Sequence, residues 1–222
     1  LKKSCVERVV RDFALTGSRG VFITFEGGEG AGKSTTARRL AEHLRTGGRE
    51  VVLTREPGGT AGAEAIRGLL LDPATVLTPL SDTLLHFAAR ADHVGQVIQP
   101  ALARGAVVIC DRFYDSTMAY QGFGLGVDVA AIAAMVRLIG LIPDLTFILE
   151  VSETVAKERL AGRGHAADRY EMMGAEVMAR IADGFRAIAV AEPERCVLVD
   201  ANGDGDEVFA NIEILLRQRL AL

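Results

Sequence analysis

Residues 27–34 read Gly-Gly-Glu-Gly-Ala-Gly-Lys-Ser, and this octet constrains the chain more than anything else in it. A glycine, four free positions and then Gly-Lys-Ser is the pattern of a loop that wraps phosphate. Such a loop works between a strand and a helix. Here Phe-Ile-Thr-Phe-Glu precedes it, and Ser-Thr-Thr-Ala-Arg-Arg-Leu-Ala-Glu-His-Leu continues from its last residue. The glycines let the backbone turn sharply and aim N–H groups inward. The helix behind them adds the positive end of its dipole. Lys33 can reach β- and γ-phosphates, and the Ser34 hydroxyl can ligate Mg2+.

The strand–helix alternation continues down the chain. Short apolar runs fall at 21–25, 51–54, 106–110, 145–149 and 197–199. They are apolar on both faces, as strands covered by helices on each side must be. Helical periodicity fills the gaps at 33–46, 63–71, 81–104, 129–139, 153–161, 175–191 and 207–220. Ser81, Asp128 and Ser152 read as N-caps, and Gly47, Gly48 and Gly105 as helix stops. The pattern predicts an α/β fold of three layers, α/β/α, around a five-stranded parallel sheet. With 222 residues, it predicts one domain at 20–222 behind an N-terminal extension at 1–19.

Composition excludes several functions. A net charge of −4 gives no basic coat for nucleic acid, although it leaves room for a local anion site. Cys5, Cys110 and Cys196 are odd in number and far apart, so neither a disulfide framework nor a zinc knuckle is indicated. A reducing cytoplasm is the expected compartment. The most apolar stretch, 127–142, carries Asp128 and Arg137 and is no membrane span. The first twenty residues lack the apolar region of a secretory signal.

A phosphate loop needs an acidic partner for its magnesium shell, and Asp111 at the end of the third apolar run can supply it. An aspartate there also serves as a plain turn cap; Arg112 beside it favours a second phosphate nearby. Arg55 follows the second run, so it belongs to the same sheet edge. Guanidinium binds phosphate bidentately, and Arg55 with Arg112 suits a second anionic substrate better than a surface salt bridge. Pro57, Gly58 and Gly59 would fix the path of that loop. Arg159, Arg163 and Arg169 flank a glycine-containing segment between helices. That reads either as a mobile lid closing over phosphate charge or as a solvated charged loop.

Taken together, these residues resemble the bacterial-type thymidylate kinases, a branch of the P-loop nucleoside monophosphate kinases. The matching segments run in order: FEGGEGAGKST, LTREPGGT, FAARADHV, VICDRFYDSTMAYQG, PDLTFILEV and DRYE, over residues 21 to about 171. TREPGG together with the DR–STxAYQG block is far more specific than the phosphate loop alone. The resemblance implies the P-loop NTPase fold with a small lid at about 162–171, and ATP- and Mg2+-dependent phosphorylation of dTMP to dTDP. It implies that Gly27, Gly28, Glu29, Gly30, Ala31, Gly32, Lys33, Ser34, Thr35 and Arg159 bind ATP, with Ser34 and Asp111 at the metal. It assigns the acceptor phosphate to Arg55 and Arg112, the thymine edge to Arg90, and the base pocket to Ser116, Thr117 and Gln121. Pro57 joins this acceptor-binding set. Glu29 would approach the 3′-hydroxyl, and Tyr120 would crowd out a ribose 2′-hydroxyl. Lys33, Arg112, Arg163 and Arg169 supply catalytic charge. Adenine would lie between Arg159 and the loop at 200–204.

One position departs from the family. Where the family places a phenylalanine to stack on thymine, this chain has His86, with Phe87 next to it. Adjacent helix positions lie about 100° apart, so only one of the two can face the base. The resemblance also implies a homodimer, for which the helical stretches 81–104 and 129–139 could supply an apolar face or simply be core. Two competing readings stand beside this one. Another P-loop small-molecule or nucleoside monophosphate kinase would differ only in its acceptor; Tyr120, Gln121 and Arg90 favour a pyrimidine deoxynucleotide. A nucleotide-gated switch would read guanine with an N/TKxD segment, and none occurs.

Overall fold

The computed structural model describes residues 20–162 and 169–220. The extension at 1–19, and Arg163 with the middle of the expected lid, lie outside the described residues. In chain order, the first elements are β1 (Phe22–Gly27), α1 (Lys33–Thr46), β2 (Val51–Arg55), α2 (Ala61–Leu71) and α3 (Pro79–His93). A π-helical turn, Val94–Ile98, leads into α4 (Gln99–Ala103) and β3 (Val107–Asp111). Then come α5 (Tyr114–Thr117), a second π-helical stretch (Met118–Gly124), α6 (Val129–Ile139) and β4 (Leu145–Glu150). The last are α7 (Glu153–Ala161), α8 (Ala175–Ala191), β5 (Cys196–Asp200) and α9 (Gly205–Leu220).

The strands form one parallel sheet in the order β2-β3-β1-β4-β5. Ile23 of the central strand sits level with Ile109 and Leu145. Successive side chains alternate between the faces. Phe22, Val108 and Cys110 pack with Ile98, Phe113, Ile132 and Phe185 on one side. Ile23, Phe25, Ile109 and Phe147 pack with Leu40, Phe209 and Ile212 on the other. This is the expected three-layer α/β fold.

The strands run further than their apolar cores. β1 continues through Glu26 to Gly27, β3 reaches Asp111, and β5 reaches Asp200 opposite Glu150. Thus the polar residues of interest are the last paired residues, on the edge where the loops begin. Helix starts also shift. The Thr78 hydroxyl accepts the Ser81 N–H at 3.3 Å, so Thr78, not Ser81, caps α3. The expected single helix at 81–104 is broken, because Pro100 has no N–H to donate and the turn ahead of it widens. The segment 114–124 carried no helical assignment from sequence, yet it coils against α8. There a Cβ on Gly184 would meet the Phe123 ring at 2.8 Å, so only glycine permits the approach.

Behind the turn that follows β3 lies a buried ion pair. Arg195 donates to both oxygens of Asp115 at 2.7 Å, to Thr146 Oγ1 at 2.9 Å and to Glu192 at 2.5 Å. It ties α5 to the sheet beneath it. Among the described residues, no helix is long and apolar enough to cross a membrane.

Candidate active site

The loop between β1 and α1 turns through Gly27, Gly30 and Gly32, all at positive φ. A Cβ on Gly27 would stand 2.3 Å from the Leu149 carbonyl oxygen, so the loop fits against β4 only with glycine there. Lys33 is buried and donates from Nζ to the Gly28 carbonyl at 2.6 Å. Burial, and then the charge of Arg112, pull its pKa down to about 8. The Ser34 hydroxyl donates to Asp111 Oδ2, which brings together the two groups expected at a metal. Thr35 is exposed in the first turn of α1.

Arg112 has φ 70, the only positive φ outside glycine among the described residues. A left-handed backbone at a bulky residue costs about 1–3 kcal/mol and persists only where surroundings hold it. Here the surroundings are dense. Nη1 donates to the Gly27 carbonyl and to Ser116 Oγ, both at 3.0 Å. Nη2 donates to Glu29 at 2.5 Å and to the Tyr120 hydroxyl at 3.3 Å. Burial opposes its charge, but Glu29, Tyr120, Asp111 and Glu26 outweigh that and push its pKa above the ordinary arginine value. Arg112 therefore ties the phosphate loop to the helix carrying the expected base-pocket residues. Glu26 braces the same turn, accepting from the Phe113 N–H at 2.7 Å and Ser116 Oγ at 2.5 Å. Burial first, and Asp115 second, push its pKa up to about 8.

A cavity opens beside this loop. Glu29, Lys33, Ser34 and Asp111 line it together with Arg55, Pro57, Arg67, His86, Arg90, Arg112, Ser116, Thr117, Tyr120, Gln121 and Tyr170. Most of the expected acceptor and phosphate groups thus meet in one place. Arg55 is exposed and paired with Glu64 at 2.9 Å, so the surface salt bridge weighed from sequence does form. An exposed pair of this kind is worth about 0–1 kcal/mol, little enough to exchange for a phosphate. The Tyr120 hydroxyl donates to Glu29 at 2.9 Å, and burial raises its pKa.

The adjacent pair on α3 is resolved. His86 lines the cavity, whereas Phe87 turns into the core beneath the Arg90 guanidinium, 4.8 Å from its ring centroid. The step of about 100° between adjacent positions keeps the two side chains, left as alternatives by the sequence, on different faces of the helix. Burial, then Arg90, Arg112 and Arg67, pull the His86 pKa down to about 3, which leaves a neutral imidazole. It meets the Tyr170 hydroxyl at 2.8 Å. Arg90 is buried, donating from Nε to Glu56 at 2.7 Å and from Nη2 to Thr117 at 3.1 Å. Its Nη1 is buried with no hydrogen-bond partner among the described residues. A donor without a partner in a cavity wall marks where a ligand acceptor belongs.

The lid arginines divide. Arg159 reaches back to the Gly30 carbonyl at 3.5 Å and across to Gly203 at 3.3 Å, bridging the phosphate loop and the loop after β5. Arg169 donates instead to Asp82 and to the Tyr170 hydroxyl, on the side of His86. Asp82 also accepts from Gln121 at 2.8 Å. Sequence reasoning singled out neither Asp82, Tyr170, Glu26, Glu56, His93 nor Arg67. One signal was present: Asp82, His86 and Arg90 recur every fourth position and so share one face of the helix.

Among the described residues, no cluster of three or more His, Cys, Asp or Glu could hold a metal by itself. Ser34 and Asp111 nevertheless fit Mg2+. It takes oxygen donors and is commonly held by one or two protein groups, waters and substrate phosphates.

The thymidylate kinase family model matches residues 25–212. The thymidylate kinase of Caulobacter vibrioides is 50% identical over 208 residues, covering 92% of this chain and 100% of that one. That of Gluconobacter oxydans is 50% identical over 196 residues, covering 86% and 92%. The crystal structure of thymidylate kinase from Ehrlichia chaffeensis aligns with a TM-score of 0.74 at 38% identity, covering 90% of this chain and 99% of that one.

Proposed function

The chain belongs to the thymidylate kinase family and is a phosphotransferase acting on dTMP; we propose that this cavity performs the transfer from ATP with Mg2+ as follows. One observation carries the reading. The cavity that Lys33, Ser34 and Asp111 line also holds Arg55, Arg90, Thr117 and Gln121, and between them Arg112 donates to the Gly27 carbonyl of the phosphate loop and to Ser116 Oγ.

ATP sits with its phosphates in the loop at 27–35, and its base lies toward Arg159 and the loop at 200–204. The acceptor phosphate of dTMP lies on Arg55 and Arg112. Its base enters between His86 and the Arg90–Thr117–Gln121 wall, with Pro57 alongside and Tyr120 and Glu29 at the sugar. Ser34 and Asp111 would hold Mg2+, which when bound would neutralise phosphate charge and orient the donor. A phosphate oxygen of dTMP attacks the γ-phosphorus as the bond to the β-bridging oxygen breaks, releasing ADP. The acceptor is already ionised near neutral pH, so no general base is needed. Catalysis is positioning plus charge neutralisation of a loose transition state. Lys33, Arg112, Arg163 and Arg169 supply that charge, with Arg163 and Arg169 acting from the lid. Lid closure also keeps water from the γ-phosphate.

The domain reading is one kinase unit at 20–222 behind the extension at 1–19, working in the cytoplasm without nucleic acid or membrane. Cys110 and Cys196 are buried free thiols, in keeping with a reducing compartment. Helices α3 and α6 are core on one side, but Leu80, Leu84 and Leu138 remain exposed on the other, which suits a homodimer. Light scattering over a concentration series tests it. The function itself is tested by an acceptor panel with ATP and Mg2+, in which dTMP should turn over fastest. Strong turnover of UMP, CMP or a sugar alcohol with none on dTMP would end the reading.

A further inference from the structure

We propose that His93, acting through Glu56, is a positioning residue that sets the base specificity of the cavity by fixing the Arg90 guanidinium. The inference rests on the reading above that Arg90 faces the substrate base.

Arg90 has five N–H donors in a rigid fork. A carboxylate beside such a fork prefers to take two of them at once. Glu56 does not. Its Oε2 accepts from Arg90 Nε at 2.7 Å, while its Oε1 accepts from His93 Nδ1–H at 3.0 Å. His93 is fully buried and is held at its far side by the Thr54 hydroxyl, which donates to Nε2 at 2.7 Å. Thr54 belongs to β2, so the series Thr54–His93–Glu56–Arg90 fastens the guanidinium to the sheet. There is no slack in it. A Cβ on Gly59 would stand 2.5 Å from two atoms of the His93 ring.

With Glu56 shared in this way, Arg90 Nη2 is left for Thr117, and Phe87 and Phe113 sandwich the guanidinium at 4.8 and 5.1 Å. Nη1 remains as the donor without a partner among the described residues. Without the Nδ1–H, Glu56 is free to close on Nε and Nη2 together, draw Nη2 off Thr117 and turn the plane that presents Nη1. A fixed donor accepts a carbonyl oxygen at position 4 of a pyrimidine and rejects an amino group there. A site built to hydrogen-bond one group discriminates strongly against its absence. The relay therefore serves discrimination rather than phosphoryl transfer.

The experiment measures kcat/KM for dTMP and for 5-methyl-dCMP, in which an amino group replaces the carbonyl at position 4 and N3 loses its proton, in four folded variants. Arg90→Met should collapse the preference; if it does not, the base-reading role of Arg90 fails and the relay fails with it. His93→Leu should lower the dTMP preference at least tenfold, through KM for dTMP, with KM for ATP unchanged. His93→Asn restores an N–H toward Glu56 and should keep the preference within about threefold of the original chain. Thr54→Val, which only frees Nε2, should lower it about threefold. The proposal is overturned if Arg90→Met collapses the preference while His93→Leu leaves it intact. It is also overturned if Leu and Asn at 93 are equally damaging, which would mean packing alone. Should His93→Leu fail to fold, an unchanged preference in Thr54→Val overturns it just as well.

Discussion

Raising the pH from 7 to 9 should weaken ATP binding about tenfold, and Lys33 is the reason. Its ammonium is buried against the Gly28 carbonyl, with Arg112 nearby, and these surroundings set its pKa near 8. Glu29, Asp111 and Glu26 offset only part of that. If the triphosphate binds only the charged form, the apparent Kd grows as one plus the ratio of neutral to charged lysine. That factor is about 1.1 at pH 7 and about 11 at pH 9, or ~1.4 kcal/mol. Calorimetric titration with a non-hydrolysable ATP analogue and Mg2+, in two buffers of different ionisation heat, reads both sides of the linkage. Proton uptake on binding should rise toward one per site above pH 8. Lys33→Arg stays charged throughout and should flatten the profile. A Kd for the original chain that moves less than about twofold between pH 7 and 9 would refute the reasoning. The same group also shifts stability. Its folded pKa of about 8 lies below the 10.5 of an open lysine, so between those values the unfolded chain binds more protons. The cost of burying the ammonium, on the order of 3 kcal/mol, is fully present below pH 8 and is relieved as pH rises from 8 to 10.5.

Three further outcomes follow from the packing and charges described. Arg112→Ala should lower turnover about 100- to 1,000-fold while the circular dichroism spectrum stays native; a near-original rate in the folded variant would contradict its role. Asp111→Asn should raise the Mg2+ concentration for half-maximal rate about tenfold, read from steady-state rates across a Mg2+ series at fixed ATP. Arg195→Met strands Asp115 in the interior and should cost about 3–5 kcal/mol in urea unfolding, whereas a loss under ~1 kcal/mol would mean the pair is dispensable.

The helices at 33–46, 129–139, 153–161 and 175–191 match the sequence reading to the residue. There apolar period, cap and stop coincide, so local signals suffice. Between 94 and 124 they do not. Pro100 interrupts the ladder inside the 81–104 stretch without changing its apolar period, and the close approach of α8 to Phe123 is a contact that no local window reports. The site divides in the same way. Lys33, Ser34, Asp111, Arg55 and Arg112 sit in short contiguous motifs and could be read directly. Glu56, Asp82, His93 and Tyr170 act through partners 34 to 88 residues away, which no local pattern reports. His86 and Phe87 differ only in helical phase, which a local pattern does not fix; the Phe87 ring lies against the Arg90 guanidinium.

The strand order β2-β3-β1-β4-β5 divides the labour of the chain along one axis. The β2 and β3 ends carry Arg55, Glu56, Asp111 and Arg112. Beyond the ends of β4 and β5 lie the residues joined by the Asn202 side chain accepting from Ser152, and by Arg159 donating to Gly203. On the function proposed above, donor and acceptor would be borne by opposite flanks of one platform, with the phosphate loop as the seam. Such a plan is modular. The flank from 55 to 93 can be rewritten to admit a different acceptor while the opposite flank goes on holding the same donor.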